Sequence, residues 1–296
     1  GYNNVVITNN DPADFQRLPG FFDVLVVDAP CSGEGLFRKD PQAMQEWSPD
    51  NIAICSKRQH RILSDSWPSL KEGGLLVYST CTYNESENEE NLKWLKKEYG
   101  VEFIALEIDE RWGVEMVNPS DTIGYRLSPH RVVGEGFFLS VMRKKTNDGQ
   151  SRIKNRNSLN QPPRKVVEQL QPWIQLPEEK TFIQRNDQIQ FLPKDKLVEI
   201  EHLARNLYLI MAGTLIASLK HDKLIPEHPS ALSVELNTIH FNSLEVDLPE
   251  ALQFLRKETL GITSGKKGFA LIRYNTLPLG WVNVLDNRIN NLYPSE

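Results

Sequence analysis

Cysteine is scarce in this 296-residue chain: Cys31, Cys55 and Cys81 are the only three, with no CxxC pair and no histidine at ligand spacing. That scarcity excludes a disulfide framework and argues against zinc, so no metal is expected, and it suits a reducing, cytoplasmic setting. Long apolar runs are also missing: none approaches the ~20 residues that a membrane span needs, so no membrane partner is expected. No internal repeat is present, and nothing implies a stable protein partner. Neither sign of charge dominates, since a formal net charge of −5 does not announce nucleic-acid binding. What is there, 40% hydrophobic and 25% charged residues, is ordinary globular composition at a length that allows two or three domains.

The charge is unevenly spread. Residues 1–146 hold 16 Lys+Arg against 22 Asp+Glu, and residues 147–296 hold 18 against 17. Between Arg143 and Lys165 lie eight basic residues and one acid, Asp148. Such a strip could track phosphates, although a solvated basic linker explains it as well. The Pro-Pro pair and absent periodicity of 147–165 support the linker.

Five short β-branched or aromatic runs read as strands: residues 3–10, 22–30, 73–81, 101–106 and 136–144. Between them, residues 51–70 place Ile52, Cys55, Ile62, Leu63, Trp67 and Leu70 on one helical face. Residues 86–100 begin with acids and end with lysines and glycine, as a helix does. Alternation of strand and helix predicts an open α/β sheet, mostly parallel, whose ligands bind beyond the carboxyl ends of the strands. The second half reads as mixed α+β: a helix followed by a strand pair turning near Ala212-Gly213, a helix over 248–260, and a hairpin over 265–287 with a Tyr-Asn-Thr turn.

Two strand ends carry the chemistry. The first ends in Asp28-Ala29-Pro30-Cys31-Ser32 and the next in Ser79-Thr80-Cys81-Thr82. An acid and two thiols at adjacent strand ends fit one reaction well. A thiolate that adds to C6 of cytosine turns C5 into a nucleophile toward an electrophilic methyl group. A carboxyl group on the N3/N4 edge steadies the developing charge, and a second thiol can assist release.

"DAPCSGEGLFRKDP" (28–41) and "YSTCTYNESENEEN" (78–91) resemble the two signature motifs of the Sun/nucleolar-protein family of RNA cytosine-5 methyltransferases. "RLSPHRVVGEGFF" (126–138) resembles its later block, and "GFALIRYNTLPLGWVNVLDNRINNLYP" (268–294) resembles the C-terminal PUA-like module of the bacterial small-subunit rRNA methyltransferase F group. The resemblance implies that Cys81 is the nucleophile, that Cys31 promotes product release and that Asp28 holds the cytosine edge. It implies S-adenosylmethionine as cofactor, with Asp11, Asp28 and Pro30 contacting it, and RNA as partner: small-subunit (16S) rRNA, with tRNA as the alternative. One of Lys57, Arg58 and Gln59 in "SKRQHRIL" matches the family's next helix, and only loosely. The expected organisation is a partial Rossmann-like catalytic domain over 1–146, a basic linker over 147–165, an intermediate α+β subdomain over 166–235 and a PUA-like small barrel that binds RNA over 236–296.

In the family's strand order, 3-2-1-4-5-7-6, residues 3–10 would be strand 3 and residues 22–30 strand 4. The glycine loop and ribose-gripping acid would then lie upstream of residue 1, so a C-terminal portion of a longer enzyme is expected, with an RNA-binding fragment inactive by itself as the alternative.

Plainer roles exist for most of these residues. Cys55 is expected to be a small buried hydrophobe, and Asp28 could cap a turn, as could Asp11 before Pro12. Glu85, Glu87, Glu89 and Glu90 are expected to serve a helix N-terminus and solvent, and His130 and Arg131 read as loop residues. Phe269, Arg273, Tyr274 and Trp281 could stack on RNA or form a small core. Two other thiol enzymes are weighed as well. A DNA cytosine-5 methyltransferase would use the cysteine after proline as nucleophile, but Ser32 follows where its glutamine should stand. A phosphatase-like loop from Cys31 to Arg38 has six intervening residues instead of five and lacks the preceding histidine.

Overall fold

Val6–Thr8 (β1) forms a strand, but not in the sheet that carries the cysteines. In the computed structural model it pairs antiparallel with residues 209–212, which corrects the expectation that this segment is strand 3 of that sheet. A β-branched run specifies extended backbone; it does not specify which free edge completes its hydrogen bonds. The structure describes residues 2–117, 121–153, 159–261 and 266–295. They fall into two units, Asn10–Arg152 and Gly1–Asn9 with Ile153–Glu296.

In the first unit, Phe22–Asp28 (β2) leads through Pro41–Glu46 (α1) and Pro49–Ser66 (α2) to Leu70–Thr80 (β3). Glu89–Tyr99 (α3), Glu102–Phe103 (β4), Glu115–Val117 (β5), Gly124–Leu127 (β6) and Phe137–Arg143 (β7) follow. The sheet order is β2-β3-β7-β6-β5, with β4 also on β7. β7 thus sits beside β3 with β4 beyond it, as the order 4-5-7-6 requires. Among the described strands of this sheet, β2 and β3 alone pair in parallel; β3–β7, β4–β7, β6–β7 and β5–β6 are antiparallel. The sheet is therefore mixed and not mostly parallel. A parallel pair needs a crossover of a dozen or more residues, usually helical; α2 supplies one between β2 and β3, whereas a loop alone joins β6 to β7.

Ser48 starts α2 by accepting from Asn51 N at 3.1 Å, with Pro49 fitting the first turn. Its buried stripe is Cys55, Gln59, Leu63 and Ser66, i, i+4, i+8 and i+11, one face of a 3.6-residue helix. Leu63 joins Trp67, Leu76, Tyr78, Leu92, Leu95, Phe138 and Met142 in the core of this unit. At the other side of the sheet β2 is an edge, and its Val24 and Val26 are 51% and 63% exposed.

In the second unit, Arg164–Leu170 (α4), the hairpin Lys180–Arg185 (β8) and Gln188–Pro193 (β9), and Leu197–Asn206 (α5) precede Leu209–Ala212 (β10) and Thr214–Lys220 (β11). β10 and β11 are not partners: β10 pairs with β1, and β11 with β9 and with Lys223–Pro226 (β12). The expected strand pair is therefore two strands diverging at Gly213, where φ is +75° and a Cβ would lie 2.2 Å from Phe191 O. His228–Ala231 (α6) and Asn242–Glu245 (β13) lead to Leu248–Leu255 (α7), whose capping box joins Asp247 and Glu250. Gly268–Tyr274 (β14), Leu277–Val284 (β15) and Ile289–Asn291 (β16) complete a sheet of order β13-β14-β15-β16. The β14–β15 turn has Asn275 at φ +49° and Thr276 at +68°, the primed geometry that suits strand twist.

The basic strip is less basic at the surface than its sequence suggests. Lys144 is 1% exposed; its Nζ donates to Trp67 O (3.0 Å) and Leu70 O (2.9 Å) and pairs with Asp148 at 2.7 Å. Lys154 and Arg156 lie outside the described residues, and Arg164 pairs with Glu168. All three Lys144 donors are used to close the chain after α2. Lys144→Met keeps the stem but removes the buried donor to Leu70 O, one of two donors to Trp67 O and the partner of Asp148, so urea unfolding followed by tryptophan fluorescence should show a loss of about 3 kcal/mol.

Candidate active site

Register brings the two motifs together. Asp28 pairs with Ser79 across β2 and β3, and Ala29 N donates to Ser79 O at 2.9 Å beyond the strand proper. Both chains then leave the sheet at one level, and the thiols meet: Cys31 Sγ and Cys81 Sγ are 3.0 Å apart, with Cys81 N donating to Cys31 Sγ at 3.3 Å. The exposed carboxylate of Asp28 accepts from Ser79 Oγ at 3.2 Å. Asp28, Pro30, Cys31 and Cys81 line one cavity of about 590 Å³, with Asp40, Glu46 and Phe137 also on its wall.

The turn after Cys31 is built by glycine. Gly33 has φ +74°, and Gly35 N donates to Cys81 O at 2.8 Å. A Cβ on Gly35 would lie 2.4 Å from Gly136 O and 2.8 Å from Cys81 O, so no other residue lets the two motifs approach this closely. Beneath it, Glu34 accepts from Thr82 Oγ1 (2.8 Å), Tyr83 N (2.9 Å) and Trp47 Nε1 (2.9 Å). Burial pushes that carboxyl's pKa up, but these donors outweigh it and hold it low.

The thiols are not equivalent. The hydrogen bond from Cys31 favours the thiolate of Cys81 and, against burial and the charges of Asp28 and Glu87, brings its pKa down to about 7. The same bond, with burial, drives the pKa of Cys31 far upward. One proton held between two sulfurs thus favours the thiolate on Cys81, with Cys31 as its hydrogen-bond donor. Cys55 is buried on α2, and burial raises its pKa.

Other expected residues lie elsewhere. Asp11 accepts from Ala13 N at 3.0 Å and is held by both guanidinium contacts of Arg61, which lower its pKa; it is not on the cavity wall. His130 is exposed in a turn, and Arg131 pairs with Glu115 at 3.5 Å. Trp281 is fully buried, with Nε1 donating to Glu227 O and Ser230 Oγ, so it cannot stack on RNA: both faces of β15 are covered there, Trp281 and Val282 lying in separate core clusters. The acidic run is corrected too. Glu87 and Glu89 are buried, Glu87 accepting from Ser32 N and Glu89 from Arg126. Sequence reasoning missed Gln59 and Glu87; for Gln59 the signal was its place between Cys55 and Leu63 on the apolar stripe. Among the described residues, no group of three His, Cys, Asp or Glu could hold a metal ion, and no helix is long and apolar enough to cross a membrane.

Comparison with known proteins agrees with the motifs. Residues 1–143 match the family described as 16S rRNA methyltransferase RsmB/F, and residues 241–296 match the methyltransferase RsmF PUA domain. The ribosomal RNA small subunit methyltransferase F of Enterobacter sp. (strain 638) is 29% identical over 313 residues, covering all of this chain and 62% of the relative. That of Salmonella agona (strain SL483) is 29% identical over 314 residues, with 100% and 63% covered. The chain thus spans less than two thirds of the length of these curated relatives. A solved methyltransferase homolog protein from Pyrococcus horikoshii is 30% identical over 46% of this chain and 43% of that one, with a TM-score of 0.38.

The unequal thiols make a direct prediction. Iodoacetamide should modify Cys81 before Cys31 or Cys55, with its rate rising half-way near pH 7. Cys31→Ala removes the donor to the thiolate, so the midpoint should climb toward the ordinary thiol range, about 8.5. Peptide mass spectrometry across a pH series reads both.

Proposed function

We propose, since residues 1–143 match the RsmB/F methyltransferase family and residues 241–296 its PUA domain, that this chain carries the reacting centre of a 16S rRNA cytosine-5 methyltransferase. The observation that carries the reading is the pair of thiols 3.0 Å apart at adjacent strand ends, beside a carboxylate at the same cavity. S-adenosylmethionine, when bound, supplies an electrophilic methyl group on a cationic sulfur. The cavity suits such a donor, because Asp28, Asp40 and Glu46 give its wall anionic character.

The residues then act in sequence. The Cys81 thiolate attacks C6 of the target cytosine, forming a C–S bond and pushing the ring's electron pair toward C5. Asp28, exposed at the cavity wall, hydrogen-bonds the N3/N4 edge and holds the ring in place for that attack. C5 takes the methyl group; its proton then leaves to a base, the C5–C6 double bond re-forms and the C6–S bond breaks. Cys31, donating to the departing Cys81 sulfur, stabilises the thiolate that leaves, which is how it promotes release of the product. Asp28 and Pro30 are assigned to the cofactor from the cavity wall, and Asp11, paired with Arg61 away from that wall, is assigned to it by the resemblance alone. The PUA domain is assigned to RNA binding.

The test uses the full-length protein, S-adenosylmethionine and small-subunit rRNA, with nucleoside analysis of the product. 5-Methylcytidine should form with wild type and fall by at least about a thousandfold in Cys81→Ala, the scale of losing a covalent nucleophile. Methylation of another base, or activity surviving in Cys81→Ala, would overturn the mechanism; product on tRNA and none on rRNA would move the substrate.

A further inference from the structure

The peptide groups on either side of Cys31 are both gripped from behind. Glu87, fully buried between β3 and α3, accepts from Ser32 N at 3.1 Å and 3.3 Å, from Asn84 Nδ2 at 2.6 Å and from Gln59 Nε2 at 2.7 Å. Gln59, fully buried on α2, donates from the same nitrogen to Pro30 O at 3.0 Å, while its Oε1 accepts from Asn91 Nδ2 at 2.8 Å. The carbonyl before Cys31 and the amide after it therefore end on one carboxylate–amide pair anchored in α2 and in the turn before α3. Cys31 itself is the only residue between those two grips, and its sulfur faces Cys81.

We propose that Glu87 and Gln59 are positioning residues: together they clamp the Cys31 backbone and so fix the spacing of the two thiols. They touch neither sulfur and line no part of the cavity. Burying a carboxylate and an amide is costly unless each is bonded, and here the bonds converge on the one loop whose placement decides the thiol contact. An acid serving only the N-terminus of α3 would have no reason to reach back to Ser32 N. The clamp rests on the reading that this thiol pair is the reacting centre, but its test reads thiol geometry alone and needs no methyl transfer.

The test uses the whole chain with Glu87→Gln and, separately, Gln59→Met. Phenylarsine oxide joins two adjacent thiols through one arsenic atom with loss of water, so wild type should bind one equivalent across Cys31 and Cys81. In both variants capture should weaken about tenfold or more, the scale of one lost bond to a charged group. The pH midpoint of Cys81 alkylation gives the opposite sign for the competing explanation. Glu87 acting only through its charge raises the Cys81 pKa, so neutralising it would lower the midpoint; loosening the clamp removes the Cys31 donor and raises it. Weakened capture with a raised midpoint supports the clamp. Unchanged capture, or a midpoint that falls, overturns it. Wild type alone provides a third reading if a variant does not fold: the Ser32 amide should exchange with solvent about a hundredfold or more slower than an open loop amide, and fast exchange contradicts the proposal.

Discussion

The contact between Cys31 and Cys81 is the constraint that the rest of the first unit serves. Two sulfurs 3.0 Å apart cannot come from one strand, nor from two strands out of register. The parallel pairing of β2 with β3 makes them neighbours: with Asp28 opposite Ser79, each chain has a few residues left to reach the same point. The glycines of the first motif let the second lie against it, and the hydroxyls follow suit. Ser32 Oγ and Thr82 Oγ1 are 2.9 Å apart, and Asn84 Nδ2 donates to both. The motif residues around the thiols are thus mostly scaffold for a single sulfur–sulfur distance.

That scaffold is polar and buried, an expensive combination unless every group is matched. Tyr78 OH donates to Glu87 O at 2.7 Å and accepts from Asn91 Nδ2, while Thr80 Oγ1 donates to Asn88 Oδ1 and Asn88 Nδ2 to Thr82 O. The chain from β3 to α3 is therefore sewn to its own strand before it reaches solvent. A polar network of this kind favours one arrangement over many, whereas an apolar core alone tolerates small shifts. For a thiol pair sharing one proton, the distance between the sulfurs sets how strongly one thiol stabilises the other's thiolate.

How much of this the sequence disclosed depends on the kind of signal. β2, β3 and β7, with α2 and α3, announced themselves through apolar period and capping residues, and so did the strand-end placement of Asp28, Cys31 and Cys81. β5 and β6 did not, being three and four residues long within polar surroundings. Partner choice was equally hidden, since β1 and β10 read as strands without saying that they belong together. The buried charges were least legible. Glu87 sits in a run of acids that composition assigns to solvent, and Lys144 in a run of bases. Only the fold reveals that one is pinned by backbone and side-chain donors and the other by two carbonyls. Trp281 shows the reverse, an aromatic that looked available for RNA and is spent on the core.

The central claim is that Cys81 makes the covalent bond while Cys31 assists its breaking. RNA carrying 5-fluorocytidine at the target position tests this most directly, because fluorine at C5 leaves no proton to remove and the C6–S bond cannot be released after methyl transfer. With the full-length protein and S-adenosylmethionine, digestion and mass spectrometry of the trapped complex should find the nucleotide on Cys81. A nucleotide on Cys31, or on neither thiol, would contradict the account.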